Sequence, residues 1–152
     1  MSRVHQIFTA FTAGAPMMFR AEVHAVPGAG LDGDRYSLGM GKFSPPVQDP
    51  DHELTLIELE NVEDFARLTG LPFTAMDSRR NIVTVGVALN ALIGQVFQVG
   101  GVNVRGIRLC EPCRYLAKHT YKDILPALNG KAGLRAQILS SGVIRVGDRV
   151  AT

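Results

Sequence analysis

Two cysteines set two residues apart, in the stretch RLCEPCRYLAKH, hold the most reactive chemistry of this chain: Cys110 and Cys113. Arg108, Arg114, Lys118 and His119 crowd the pair. Neighbouring cations favour thiolate over thiol, and the thiolate is both the nucleophile and the soft metal ligand. A disulfide between the two would close too small a loop to serve as a structural staple. In a reducing cytoplasm such a pair points to metal binding or thiol chemistry. The plainer alternative is that both are small apolar fillers at a strand end.

Spacing alone leaves the chemistry open. A structural zinc needs four ligands, and one Cys-x-x-Cys with His119 falls short, because His5, His24 and His52 lie far off in sequence. A dithiol redox centre built on Cys110 and Cys113 would normally open a helix within an α/β fold. A nucleophilic Cys–His pair finds no assignable Asn or Asp partner.

Two further clusters carry charge. DSRRN, residues 77 to 81, offers Arg79 and Arg80 just before a strand, with Asn81 leading into it. Guanidinium groups grip phosphate bidentately, so this is either an anion clamp or a solvated turn. Gly33, Asp34 and Arg35 form a GDR that is either a tight turn or a loop presenting an arginine to a ligand. Gly28, Gly30 and Gly33 also reproduce the G-x-G-x-x-G spacing of a dinucleotide-binding turn. The following DRYSLGMGKFSPP cannot supply the helix that such a site requires, and GMGKF lacks the spacing of a phosphate-binding P-loop.

The elements that must position these residues are mostly strands. MMFRAEVHAV alternates, with Phe19, Ala21, Val23 and Ala25 on one side and Arg20, Glu22 and His24 on the other. PGAGLDGDRYSLGMGKFSPPVQDPDHE reads as a long loop, a kind of segment that often carries function. LTLIEL is strand-like and runs into a helix near residues 58 to 69, with Leu59, Val62, Phe65 and Leu68 at helical spacing and Gly70 and Pro72 beyond its end. NIVTVGVAL, QVFQV and VNVRGIRL read as strands, the last two joined by a hairpin turn at Gly100-Gly101. The alternation of Val102 and Val104 changes parity before Ile107 and Leu109, which predicts a β-bulge at Gly106. RYLAKHTYKDILPALNG suggests short irregular helix, and LRAQILS, a Ser141-Gly142 turn and VIRVGDRVAT suggest a closing hairpin. Many short strands with glycine turns and one clear helix predict a mainly β barrel or sandwich with a few short helical turns.

The 152 residues suffice for one core, so a single domain over 1–152 is expected. A net charge of +2 excludes a general nucleic-acid binder and requires any functional positive charge to be local. No signal segment or membrane-length apolar run is apparent, so a cytoplasmic protein without a membrane partner is expected.

Taken in order, GLDGDR, LTLIELE, RRNIVTVGVALNALIGQVFQVGG, RLCEPC and GLRAQILSSGVIRVGDRV resemble the MOSC domain family, named for the C-terminal domain of molybdenum-cofactor sulfurase. The resemblance runs from about Val4 to Val150 and suggests a stand-alone member. It implies a barrel-like β fold whose functional centre is a cysteine near a strand end. That role maps onto Cys113, which would carry sulfur as a persulfide or ligate molybdenum. It implies that Arg79 and Asn81, as the Arg-x-Asn pattern, and Gly33, Asp34 and Arg35 lie near the cofactor, with Cys110, Arg108 and Arg114 secondary. The implied cofactor is molybdenum cofactor (molybdopterin), and the implied activities are reduction of N-hydroxylated compounds or sulfur transfer. A cysteine desulfurase as sulfur donor and a reductase are the implied partners. The family sulfurase's pyridoxal-phosphate domain and the reductases' additional β domain have no counterpart here, and Cys110 is not general in the family. A sulfur carrier without turnover and a dithiol redox protein remain the alternatives.

Overall fold

Alternating apolar residues and glycine turns build a chain of short strands: β1 (Arg3–Thr9), β2 (Met18–Phe19), β3 (Glu22–Val26), β4 (Gly30–Leu31), β5 (Leu54–Glu58), β6 (Ile82–Val85), β7 (Val96–Val99), β8 (Val102–Leu109), β9 (Leu134–Ile138), β10 (Gly142–Arg145) and β11 (Val150–Ala151). One helix, α1 (Leu59–Thr69), interrupts them, with 3-10 turns at Ala75–Ser78 and Leu89–Leu92. The computed structural model describes residues 2–12, 14–35, 37–38, 52–110 and 130–152. Cys113, Arg114, Lys118, His119 and all but the last residue of RYLAKHTYKDILPALNG lie outside the described residues.

Eight strands form one sheet in the order β11-β7-β8-β9-β5-β6-β1-β2. The sheet curls until β1 meets the chain entering β11. Val4 donates to the carbonyl of Asp148 at 2.8 Å, Gly147 to that of Val4 at 2.8 Å, and Val150 to that of Ser2 at 3.1 Å. Closure of this kind removes exposed edges, which is how all-β folds avoid edge-to-edge association. A second sheet, in the order β10-β3-β4, covers one side. Its Val23, Ala25 and Ile144 share a core with Leu56, Ile82 and Leu134 of the large sheet.

The mainly β reading with one clear helix holds, and the differences lie in pairing. The expected closing hairpin does not form: β10 pairs with β3, while β9 pairs with β5 and β8. MMFRAEVHAV is not one strand either, because it breaks at Arg20 and Ala21 and delivers β2 and β3 to different sheets. Period-two alternation reports that a segment is half-buried; it does not report its partner. The sheet is also not wholly antiparallel, since β5 and β6 run parallel, joined through α1.

Helix α1 begins and ends as its sequence predicts, with Gly70 in the left-handed conformation donating to Ala66 at 2.9 Å. Its buried face is narrower than the stripe expected. Val62 and Phe65 are buried, with Phe65 edge-on to Phe73, whereas Leu68 is 71% exposed. Nine residues at about 100° each bring Leu68 half a turn round from Leu59, so the stripe leaves the core. No helix among the described residues is long and apolar enough to cross a membrane.

The bulge at Gly106 is present, as is the Gly100-Gly101 hairpin between β7 and β8. Gly106 exchanges hydrogen bonds with Gly94 and Gln95, and an added Cβ would run into the Leu92 carbonyl. Glycine is therefore required there for close approach. The bulge re-aims the last residues of β8, which end beside Cys110.

Candidate functional site

The charged motifs that lie apart in sequence converge at one corner of the curled sheet. Asp34 and Arg35 follow β4, and both are buried. Asp34 Oδ1 accepts from the backbone N–H of Ala10 at 3.1 Å and from Arg35 Nη1 at 3.2 Å. Arg35 also donates to Met17 Sδ at 3.6 Å and, through Nη2, to the carbonyl of Arg79 at 3.0 Å. A guanidinium placed this deep must be paired and hydrogen-bonded, because desolvation would otherwise cost several kcal/mol. Gly33, at φ 83°, turns the chain into this pair, and its α-carbon side faces Arg20 Nη1. Arg20 itself donates to Thr9 Oγ1.

Arg79 is the single non-glycine residue with positive φ among the described residues, at 59°. It closes the 3-10 turn Ala75–Ser78 by donating to the Met76 carbonyl, and its Nη1 reaches the Ala15 carbonyl at 2.8 Å. A left-handed arginine costs about 1–2 kcal/mol relative to a glycine and persists only when its surroundings fix it. Here Arg35 grips its carbonyl and Ala15 receives its side chain. Among Gly33, Asp34, Arg35, Arg79 and Asn81, Arg79 combines a cationic side chain with partial exposure.

Asn81 is 1% exposed and works as a joint rather than a surface donor. Its Oδ1 accepts from Thr55 N at 3.2 Å and Thr55 Oγ1 at 3.0 Å, while Nδ2 donates to the Phe8 carbonyl at 3.1 Å. In return the Asn81 backbone accepts from Phe8 N and donates to Thr55 Oγ1. β1, β5 and β6 are thus fastened together directly beneath Arg79. Thr55, the lone hydroxyl in the apolar run LTLIEL, is a site residue that sequence reasoning passed over.

Arg80, the second arginine of DSRRN, has a different surrounding from Arg79. The solvated-turn alternative for DSRRN would leave its side chain in water. Instead it is buried, donating through Nε to the Ala132 carbonyl at 2.9 Å and through Nη2 to the Cys110 carbonyl at 3.4 Å. The DSRRN turn is therefore not a solvated one: Ser78, Arg80 and Asn81 are all buried.

Cys110 is 1% exposed at the end of β8, with its N–H on the Gly133 carbonyl at 2.8 Å. Arg108 lies opposite Arg135 across β8 and β9, and Arg135 lies opposite Thr55 across β9 and β5. Directly opposed residues share a face, so Arg108, Arg135 and Thr55 form a polar row leading to Asn81. The corner thus joins Asp34, Arg35 and Arg79 through hydrogen bonds, with Arg80 next along the same turn and Arg135 opposite Thr55 on the neighbouring strand. No group of three or more His, Cys, Asp or Glu among the described residues could hold a metal ion. The arrangement suits an anion. Whether it also engages Cys113 and Arg114 lies outside the described residues.

The family model of the MOSC domain matches residues 24–151. Among solved structures, the YuaD protein from Bacillus subtilis superposes with a TM-score of 0.81 at 15% identity, covering 99% of this chain and 94% of that one. YiiM from Geobacillus stearothermophilus gives 0.76 at 19% identity, with 99% and 74% covered. YiiM from Escherichia coli gives 0.68 at 20% identity, with 96% and 68% covered. These likenesses establish a shared fold. No curated protein matches the sequence at a significant level.

Proposed function

The chain belongs to the MOSC domain family, and from that premise we propose that it binds molybdenum cofactor at the arginine-rich corner and uses Cys113 as ligand or sulfur carrier. The observation that supports this most is the convergence of the GDR and Arg-x-Asn motifs through the Arg35–Arg79 hydrogen bond. The donors fit the group: a phosphate-bearing cofactor needs fixed cations, and Arg79, a half-buried residue, carries its guanidinium rigidly at a left-handed turn. In this reading Arg79 meets the anion, while Gly33, Asp34, Arg35 and Asn81 hold it in place from within. When bound, the cofactor supplies two-electron redox chemistry at molybdenum. The chain's own residues bind, orient and neutralise it, and Cys113 offers the soft thiolate that molybdenum prefers.

Sulfur carriage at Cys113 needs no external oxidant. The Cys113 thiolate attacks the outer sulfur of a donor enzyme's persulfide; a new S–S bond forms as the old one breaks, and the donor cysteine leaves as thiolate. A cysteine desulfurase is the donor class this chemistry calls for, and a reductase would be the electron source for N-hydroxylated substrates. Both reactions suit the cytoplasm, where the cysteines stay reduced. The dithiol alternative is disfavoured by Cys110, whose 1% exposure denies the access that thiol–disulfide exchange requires.

The test is metal, pterin and sulfane-sulfur analysis of the protein made in a cofactor-proficient host, beside Cys113→Ser. Stoichiometric molybdenum lost in Cys113→Ser supports cofactor binding through this thiol. Sulfane sulfur without metal supports the carrier. Absence of both from the wild-type protein overturns the proposal.

A further inference from the structure

Where β1 meets the chain entering β11, two like charges face each other. Val4 N donates to the Asp148 carbonyl at 2.8 Å and Val150 N to the Ser2 carbonyl at 3.1 Å, which sets Arg3 directly opposite Arg149. These bonds flank the two arginines without passing between them. The arginines are therefore a non-hydrogen-bonded antiparallel pair, the arrangement that brings facing side chains closest. Their neighbours Val4 and Val150 are buried in the core, and both arginines are exposed on the outer face. Like charges set opposite each other destabilise a sheet. The acids of nearby elements do not offset them. Glu60 accepts from the Gly86 N–H at 2.9 Å, Asp148 from the Arg145 N–H at 2.8 Å, and Glu22 pairs with Arg145 Nε at 3.6 Å. Among the described residues neither Arg3 nor Arg149 has an ion pair. Beside Arg149 lies a cavity of about 440 Å³, lined by Ser2, Arg149, Val150, Ala151 and Thr152. That volume is in the range of small-molecule sites.

We propose that Arg3 and Arg149 bind the phosphate group of a small phosphorylated molecule, whose remainder occupies the adjoining cavity. Two guanidinium groups match a phosphate monoester dianion in charge, and each offers its oxygens a fork of donors. A carboxylate would neutralise only one of them. The bound dianion also removes the repulsion that the register of the seam imposes. This site is separate from the Arg79 corner and needs neither cofactor nor thiol. β1 runs from Arg3 to Thr9, whose neighbour Ala10 donates to Asp34, so the two ends of the strand lie about 20 Å apart.

The experiment follows the backbone amide resonances of the full chain during titration with ribose 5-phosphate at constant ionic strength, with ribose and acetate as controls. Saturable shifts of the Ser2, Arg3, Val4, Arg149 and Val150 amides, with ribose 5-phosphate alone, are expected. Arg3→Gln and Arg149→Gln should each weaken that binding about tenfold or more, the effect of one lost charge-assisted contact. In phosphate-free buffer both variants should melt at or above wild type, because the like-charge pair is gone. Ribose 5-phosphate should then raise the melting temperature of wild type more than that of either variant. Wild-type affinity in both variants, or shifts that acetate reproduces, would overturn the proposal. Shifts confined to Ser78, Arg79, Arg80 and Asn81 would overturn it as well, placing phosphate at the other corner. Saturation by a single-stranded oligonucleotide with no response to ribose 5-phosphate would assign the pair to nucleic acid and overturn the small-molecule site.

Discussion

Arg35 donates to the main-chain carbonyl of Arg79 at 3.0 Å, so the guanidinium of one motif holds the backbone of the other across 44 residues of sequence. The same guanidinium is paired with buried Asp34, which in turn accepts from Ala10. Removing one partner strands the other charge in the interior. Arg35→Ala is expected to cost about 3–5 kcal/mol of stability, read from urea unfolding. The double variant Asp34→Asn with Arg35→Met, which removes both charges and keeps an acceptor for Ala10, should recover much of that loss. Equal losses in the single and double variants would show that the pair is not what matters.

Arg79 separates backbone conformation from ligand binding. Both Arg79→Gly and Arg79→Ala lose the guanidinium, but only glycine accepts φ near 59° without strain. Arg79→Gly should therefore be more stable than Arg79→Ala by about 1 kcal/mol. Both should bind molybdopterin roughly tenfold to hundredfold more weakly, the cost of one lost charge-assisted contact. Melting temperature and cofactor retention, measured side by side, check the two halves of this expectation independently.

Asn81 should behave as a structural joint. Asn81→Ala leaves the Thr55 N–H and the Phe8 carbonyl buried without this partner, at about 1–3 kcal/mol each. Asn81→Asp retains an acceptor for Thr55 but turns a carboxylate oxygen toward the Phe8 carbonyl, and should also destabilise. Thermal melts decide it: a small change in either variant would mean that Asn81 matters chiefly for ligand contact.

What could be read from the sequence, and what could not, divides along physical lines. Strands, the Gly106 bulge, the Gly100-Gly101 hairpin and the ends of α1 were legible, because alternation and glycine turns are local properties. Partners were not: β10 joins β3 instead of β9, a choice made by the shared core around Val23 and Ile144. In the candidate site, the family resemblance pointed to Arg79, Asn81, Asp34 and Arg35, yet gave no sign that Asn81 and Asp34 would be fully buried. Arg80 was misread because an arginine pair in a polar turn looks solvated, while its burial depends on carbonyls at Cys110 and Ala132, thirty and more residues away.

Glu53 gives the fold a pH signature that owes nothing to the cofactor. It is 2% exposed, and burial pushes its carboxyl above the usual carboxylate range, against the opposing pull of N–H donors from Gly28 and Ile138. Between the pKa of an unfolded glutamate, about 4.3, and the raised folded value, the native state holds more protons than the unfolded chain. Stability from this group is thus complete below that window and is lost as pH rises through it. Glu58, raised mainly by burial as well, adds a contribution of the same sign. Glu53→Gln keeps a side-chain oxygen for Gly28 and Ile138, at 3.0 and 3.3 Å in the wild type, and removes the titration. The variant should lose less stability than wild type between pH 4 and 7, and should melt higher at pH 7. Urea midpoints across that range provide the measurement. A Glu53→Gln profile parallel to wild type would place the titrating carboxyl elsewhere, with Glu58 the next to test.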